Sequence, residues 1–127
     1  MTNDEIQAVL GLSGEERYDY FLSCVVEERE IWILVNGDNR FLKIHSEDGG
    51  LDYLPVWPSA DFALAYAKGS GDLVPKSLSL PDFFRKWVPG LTKDSVEIGV
   101  FPGADETIWI TEPSELQSDL QDELSSF

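Results

Sequence analysis

The sequence predicts a single α+β domain over residues 1–127, in which helices pack on a mixed or antiparallel sheet of five or six strands. Three observations lead to this fold class. Apolar residues recur at helical spacing in several segments, short β-branched and aromatic runs lie between them, and turn signals join neighbouring runs. The predicted element order is ααβββαβαββα, with no internal repeat and no interdomain linker.

The first two predicted elements are helices that begin with capping signals. Thr2 followed by Glu5, and Ser13 followed by Glu16, match the capping box. The second helix is predicted from about Gly14 to Glu28, because apolar side chains recur there with the spacing of one buried face. Those side chains are Tyr18, Phe21, Leu22 and Val25.

Three strands are predicted next. The β-rich runs 31–35 and 41–44 flank Asn36-Gly37, a dipeptide that favours a hairpin. A glycine-rich turn at 48–50 then leads into a strand over residues 51–56. Within it, Pro55 indicates an edge position or the strand's end, because proline cannot donate a ladder hydrogen bond.

Residues 59–67 predict a short helix of unusual composition. Ser59 stands at the N-cap position, Gly69 follows the end, and Asp61 is the one charged residue inside the helix. A helix that is apolar nearly all round is either buried between layers or covered by a partner.

A strand over residues 73–78 and a helix that begins at Ser79 are predicted next. Apolar residues at positions 80, 83, 84, 87, 88 and 91 follow helical spacing, and Pro89-Gly90 is expected to end the helix. Residues 96–101 and 107–110 are predicted to form a hairpin around a turn at 102–105.

The last helix is predicted from Thr111, with a narrow apolar seam formed by Leu116, Leu120 and Leu124. Acidic residues surround the seam. They indicate either a solvated helix face or a docking face for a basic partner.

The net charge of −15 is concentrated at the two ends of the chain. Residues 1–30 carry −6 and residues 96–127 carry −8, whereas residues 31–95 together carry −1. This distribution argues against nucleic acid and against an anionic membrane surface, since both attract clustered Lys and Arg. If charge selects a partner, that partner is basic, and the alternative is that charge only maintains solubility.

The sequence holds no recognisable catalytic, metal-binding or cofactor-binding set. His45 is the only histidine, and Cys24 is the only cysteine, so no intrachain disulfide forms. Glu27 and Glu28 are expected to raise the pKa of Cys24, which makes it a poor nucleophile. Residues 2–5 lack a secretory signal and no apolar run reaches bilayer length, so we expect a cytoplasmic protein.

The most distinctive residues are aromatic side chains beside proline corners and in the apolar helix. Such side chains can form a rigid contact surface, or they can fill the core where elements turn. As candidate binding residues we select Trp57, Phe62, Tyr66, Trp87 and Phe101.

Some of these residues also carry a resemblance to a known family. Glu16-Arg17-Tyr18, Leu54-Pro55-Val56-Trp57-Pro58 and Lys86-Trp87-Val88-Pro89-Gly90-Leu91 resemble domain-of-unknown-function family 2750, small bacterial proteins, over about residues 14–116. The resemblance implies one α+β domain and brings no activity and no catalytic residues. More distantly, the element order is similar to the N-terminal domain of type III secretion enhancer proteins, which implies interaction.

These observations favour a protein-interaction module, such as an adaptor, an inhibitor or an immunity-type protein, that binds a basic partner. Self-association through the apolar helix is a second possibility. The alternative function is a small-molecule-binding domain or an enzyme of unrecognised type, with a pocket near Trp57, Trp87 and His45.

Overall fold

The computed structural model describes residues 2–38, 40–46, 50–67, 72–102 and 108–125, and it confirms the α+β class. Its described residues form a two-stranded sheet and a four-stranded mixed sheet, with helices packed on them. The strands are β1 (Glu30–Val35), β2 (Ile44–Ser46), β3 (Leu51–Val56), β4 (Val74–Ser79), β5 (Val96–Val100) and β6 (Trp109–Thr111). The helices are α1 (Asn3–Leu10), α2 (Gly14–Glu28), α3 (Ala60–Ala67), α4 (Leu80–Asp82), α5 (Val88–Lys93) and α6 (Pro113–Ser125).

The capping signals position α1 and α2 as predicted. The Glu5 amide donates to Thr2 Oγ1 at 3.2 Å. Ser13 and Glu16 form both hydrogen bonds of the capping box, and α2 has the predicted bounds. The predicted apolar face of α2 is buried and contacts β1, β6 and α6.

The predicted hairpin after β1 forms only at its turn. Val35 and Phe41 make an antiparallel bridge, and Asn36 Oδ1 accepts hydrogen bonds from two amides inside the turn. The Leu42 amide still donates to the Leu34 carbonyl at 2.8 Å, and beyond Leu42 the chain leaves β1, so that β2 pairs with β3. The ladder partner of β1 is β4, a distant strand that local turn signals cannot specify.

The two sheets meet where β3 ends. The amides and carbonyls of Trp32 and Trp57 exchange two hydrogen bonds, of 3.0 and 2.9 Å. In the four-stranded sheet the order is β2-β3-β5-β6, with β3 and β5 parallel and the other pairs antiparallel. Pro55 is accommodated because β2 pairs with β3 only as far as Tyr53.

The helix after β4 continues through Pro89 and Gly90, so the predicted end there is wrong. Between α4 and α5 lies a π-helical turn, Phe83–Trp87, and the Val88 amide donates to the Phe83 carbonyl. Inside an α-helix a proline ring clashes with the carbonyl four residues earlier. The wider π turn directly before Pro89 relieves that clash, and the helix ends at Lys93.

Helix α3 is not buried between layers. Phe62, Ala63 and Ala67 face the core, whereas Leu64 and Tyr66 are 52% and 42% exposed. In α6, by contrast, the predicted seam is confirmed, with Leu116 and Leu120 buried and Leu124 half-buried.

A buried arginine on α2 is hydrogen-bonded to two other parts of the chain. Arg17 is 1% exposed, and its guanidinium donates to the carbonyls of Leu10, Leu12 and Phe101. Phe101 has a φ of 49°, a left-handed conformation that L-residues adopt at a cost. The Arg17 Nε to Phe101 carbonyl hydrogen bond, at 3.1 Å, helps to hold that conformation.

Three sequence predictions fall outside the described residues in whole or in part: the turn residues 103–105, residues 48 and 49 of the turn at 48–50, and the helix stop at Gly69. Within the described ranges, we find no helix with both the length and the apolarity to cross a membrane.

Candidate functional site

The five aromatic residues selected from the sequence do not form one surface. Trp57, Phe62 and Phe101 are at most 1% exposed and belong to the hydrophobic core. For Trp57 and Phe101 this placement matches the alternative interpretation, in which they fill the core where elements turn. Trp87 is half-buried, and Tyr66 is the one of the five that is exposed.

The ring contacts divide these residues into separate groups. The Phe62 and Phe101 ring centroids lie 4.7 Å apart in an edge-on contact, and those of Trp57 and Tyr66 lie 5.1 Å apart. Trp87 instead contacts Phe41 at 5.3 Å and lines a small cavity of about 190 Å³. The structure therefore does not bring Trp87 to Trp57, as the alternative function would require.

His45 lies apart from these rings, on the β2–β3 pair. Its Nδ1 lies 2.7 Å from Asp52 Oδ1, and this hydrogen bond is the main cause that lowers the pKa of Asp52. The described residues contain no group of three or more His, Cys, Asp or Glu side chains that could hold a metal ion.

A cleft of about 280 Å³ between α2, β1 and the start of α3 combines aromatic rings with carboxylates, and we call it the aromatic–acidic cleft. Its described lining contains three aromatic side chains, two glutamates, one thiol, one hydroxyl and no basic side chain. The lining residues are Tyr20, Cys24, Glu28, Glu30, Trp32, Pro58, Ser59, Ala60 and Phe62.

Helical and strand periodicity place these side chains together. Tyr20, Cys24 and Glu28 are four residues apart on α2, so they lie along one helix face. On β1, Glu30 and Trp32 are two residues apart and point to the same side, whereas Ile31 points to the core and is fully buried. The Trp32–Trp57 bridge brings the start of α3 against this side of β1.

The cleft has an environment that disfavours ionisation of its thiol and phenol groups. Burial raises the pKa of Cys24, and the nearby Glu27 and Glu28 add to this effect, as the sequence predicted. Burial also raises the pKa of Tyr20 to about 12, assisted by its contact with Cys24. Cys24 is therefore protonated near neutral pH, and it contributes a small apolar surface to the cleft rather than a nucleophile.

Ser59 leaves a polar atom unsatisfied at the edge of the cleft. Its Oγ is buried and has no hydrogen-bond partner among the described residues, so the predicted side-chain cap of α3 does not form. Buried polar atoms without a partner are rare in folded proteins. A hydrogen-bonding group that entered the cleft would offer this hydroxyl a partner after rotation about χ1.

Of the cleft residues, sequence reasoning selected only Phe62. Two patterns in the sequence indicate the others. Tyr20, Cys24 and Glu28 recur every four residues on a predicted helix, and Glu30 and Trp32 are two residues apart at the start of a predicted strand. They were missed because the predicted buried face of α2 was the one that carries Tyr18, Phe21, Leu22 and Val25. The run 31–35 was expected to pair with 41–44, and nothing in the sequence indicated that α3 lies against it.

Comparisons with known proteins identify a family and show a distant similarity to a solved structure. The model of the family "Protein of unknown function (DUF2750)" matches residues 18–120. No curated protein matches the chain. The solved structure titled "Anabaena Tic22 (protein transport)" superimposes on this chain with a TM-score of 0.45, and the two sequences are 13% identical. That match covers 75% of this chain and 49% of the Tic22 chain, so this chain spans about half the length of that protein.

Proposed function

We propose that this chain, which belongs to the DUF2750 family of proteins of unknown function, is a protein-interaction module that binds a basic partner. The aromatic–acidic cleft would receive a lysine or arginine side chain of that partner. The observation that carries the proposal is the composition of the cleft, in which aromatic faces and two carboxylates meet without a basic side chain among the described lining residues.

The chemistry of the cleft favours a cation. A guanidinium or ammonium group over an aromatic face gains about 0.5–1 kcal/mol at exposed sites and about 2 kcal/mol when desolvated. Trp32 is half-buried and Glu28 is exposed, so a ring face and a carboxylate are both available at the opening. A neutral group would gain neither interaction. An anionic group would also be repelled by the two glutamates.

The size of the cleft favours one side chain over a whole ligand. At about 280 Å³ it is smaller than most small-molecule sites, which hold roughly 300–1,000 Å³. A long basic side chain has the necessary shape, because an apolar stem leads to a charged head. The stem would lie against the half-buried rings of Tyr20 and Trp32, and the head would reach the glutamates.

The surrounding charge would increase the rate at which a basic partner arrives. The cleft is built largely from residues 1–32, and residues 1–30 carry a net charge of −6. Long-range attraction of this kind accelerates encounter and weakens as salt rises, whereas specificity comes from the contacts inside the cleft.

The proposal can be tested by fluorescence anisotropy with a short arginine–glycine peptide that carries an uncharged dye. The matched ligand has citrulline in place of arginine, which keeps the shape and removes the charge. We expect the arginine peptide to bind at least about tenfold more tightly, equivalent to about 1.4 kcal/mol. Equal affinity for the two peptides would reject cation recognition.

A charge-matched pair of protein variants separates the cleft from the general acidity. Glu28→Gln with Glu30→Gln removes two charges from the cleft and should abolish most of the preference for arginine. Asp4→Asn with Glu15→Gln removes two exposed charges outside the cleft lining and should retain it. Equal losses in both variants would mean that only net charge attracts the peptide.

Self-association is the second candidate, and the exposed side of α3 favours it. Leu64 and Tyr66 are exposed, whereas Phe62, Ala63 and Ala67 of the same helix face the core. Sedimentation velocity over a wide concentration range tests this function. A dimer that Leu64→Ser with Tyr66→Ser dissociates would support it, and a monomer at the highest concentration would remove it.

A further inference from the structure

We propose that a second site, of opposite charge preference, binds an apolar carboxylate such as a medium-chain alkyl carboxylate. The site is a groove where the C-terminal end of α2, the helix segment after β4 and the end of α6 meet, and we call it the arginine groove. It is lined by Arg29, Leu80, Pro81, Phe84, Arg85 and Leu124.

The groove has the size and the apolar lining of a small-molecule site. Its volume of about 400 Å³ lies within the roughly 300–1,000 Å³ typical of ligand pockets. Leu80 is buried, and Phe84 and Leu124 are half-buried, so an apolar floor remains partly open to solvent. An alkyl chain that covered this floor would remove apolar surface from water.

Among the described lining residues of the groove, the two charged side chains are both guanidiniums, in a protein whose net charge is −15. The chain contains four arginines, and two of them, Arg29 and Arg85, line this groove. A planar guanidinium matches a carboxylate with two parallel hydrogen bonds. Apolar lining with two guanidiniums therefore fits a ligand that has a hydrocarbon body and one carboxylate.

The backbone of Arg29 is held in place beside the groove. Arg29 ends α2 in the left-handed conformation, with φ of 61°, and its amide donates to the Val25 carbonyl. Its own carbonyl accepts a hydrogen bond of 3.1 Å from the Leu80 amide. These two hydrogen bonds fix the backbone of Arg29, from which its side chain extends, next to Leu80 of the groove.

The Arg85 guanidinium forms a weak ion pair with Asp82, and a ligand carboxylate would have to compete with it. Arg85 Nη2 lies 3.5 Å from Asp82 Oδ1, and the Arg85 side chain is 74% exposed. Exposed ion pairs of this kind contribute about 0–1 kcal/mol, so a ligand carboxylate can compete for Arg85. A dianion such as a phosphate monoester would be repelled more strongly by the acidic protein, which favours a singly charged carboxylate.

The test compares octanoate with octanamide, its uncharged counterpart, by isothermal titration calorimetry and thermal shift on the full chain. Octanoate is expected to bind saturably and to raise the melting temperature, with at least about tenfold higher affinity than octanamide. Absence of octanoate binding, or equal binding of octanamide, would overturn the proposal without any need for a variant.

Two double variants with the same change of charge then locate the site. Arg29→Gln with Arg85→Gln should lower octanoate affinity at least about tenfold, close to that of octanamide. Arg40→Gln with Lys93→Gln removes two exposed positive charges outside the groove and should change affinity less than about threefold. Full octanoate binding by the first variant would place the site elsewhere and reject this assignment.

Discussion

Among the glycines that the structure describes, Gly99 has the least room for a side chain. It lies in β5, opposite Pro55 of β3 and Ile110 of β6. A Cβ at Gly99 would stand 2.4 Å from Tyr53 Cδ2 and 3.1 Å from Ile108 Cγ2. Because the Tyr53 ring is rigid and 7% exposed, Gly99→Ala must displace a buried side chain or the strand itself.

The expected cost of Gly99→Ala is the sum of two opposing effects. Overpacking a filled core costs about 1–3 kcal/mol. Replacing a strand glycine returns about 0.5–1 kcal/mol, because alanine loses less conformational entropy on folding. The free energy of unfolding should therefore fall by about 1–2 kcal/mol. With a urea slope of about 2 kcal/mol per molar, the middle of the usual range for small proteins, the denaturation midpoint should fall by about 0.5–1 M.

Urea denaturation followed by tryptophan fluorescence measures this change, and two further variants control it. In a Tyr53→Leu background, Gly99→Ala should cost less than in the natural chain, because the flexible leucine can move aside. Gly90→Ala should instead raise stability by about 0.5–1 kcal/mol, since Gly90 lies in α5 with no atom near its absent side chain. An unchanged or raised midpoint for Gly99→Ala would refute the packing argument.

Three further predictions concern the buried arginine and the ionisable groups of the cleft. Arg17→Met should lower the free energy of unfolding by about 3–5 kcal/mol, as chemical denaturation would measure, because one buried and two partly buried carbonyls lose a charged donor. A loss below about 1 kcal/mol would contradict the assigned role. The raised pKa of Tyr20 means that the folded state keeps a proton that the unfolded state loses above pH 10, so stability should fall between pH 10 and about 12. Urea midpoints should show a shallower fall in Tyr20→Phe, and an identical fall would contradict this account. Cys24 should react with a disulfide reagent at pH 8 more slowly than a free thiol of ordinary pKa, and equal rates would show that burial does not restrain it.

The elements that the sequence predicted well are those whose signals are local. The bounds of α2 follow from a capping box and a single apolar face, and β3 follows from a turn and a β-rich run. The continuation of the helix through Pro89 was missed because a π turn forms only when packing stabilises it. The pairing of β1 with β4 joins residues 39 to 49 positions apart, from Val35 with Val74 to Glu30 with Ser79, so no turn motif could indicate it.

The candidate site was harder to predict than the fold, since proline and tryptophan are distinctive in both cores and interfaces. Trp57 and Phe101 were selected as contact residues, and they fill the core instead. The sequence singled out Arg17 only within the Glu16-Arg17-Tyr18 stretch of the family resemblance, whereas burial and three carbonyl partners make it a structural residue. The cleft depends on the approach of α3 to β1, which is a tertiary contact that the sequence pattern does not encode.

Recognition of a cation by the aromatic–acidic cleft is tested most directly by ¹⁹F NMR of protein labelled with 5-fluorotryptophan. The chain has four tryptophans, and the Trp32 resonance is identified by its loss in Trp32→Phe. During titration with the arginine peptide, the Trp32 resonance should shift saturably with the affinity found by anisotropy, and the citrulline peptide should leave it unchanged. A stationary Trp32 resonance during saturable binding, with the shift at Trp87 or Trp109 instead, would contradict the account.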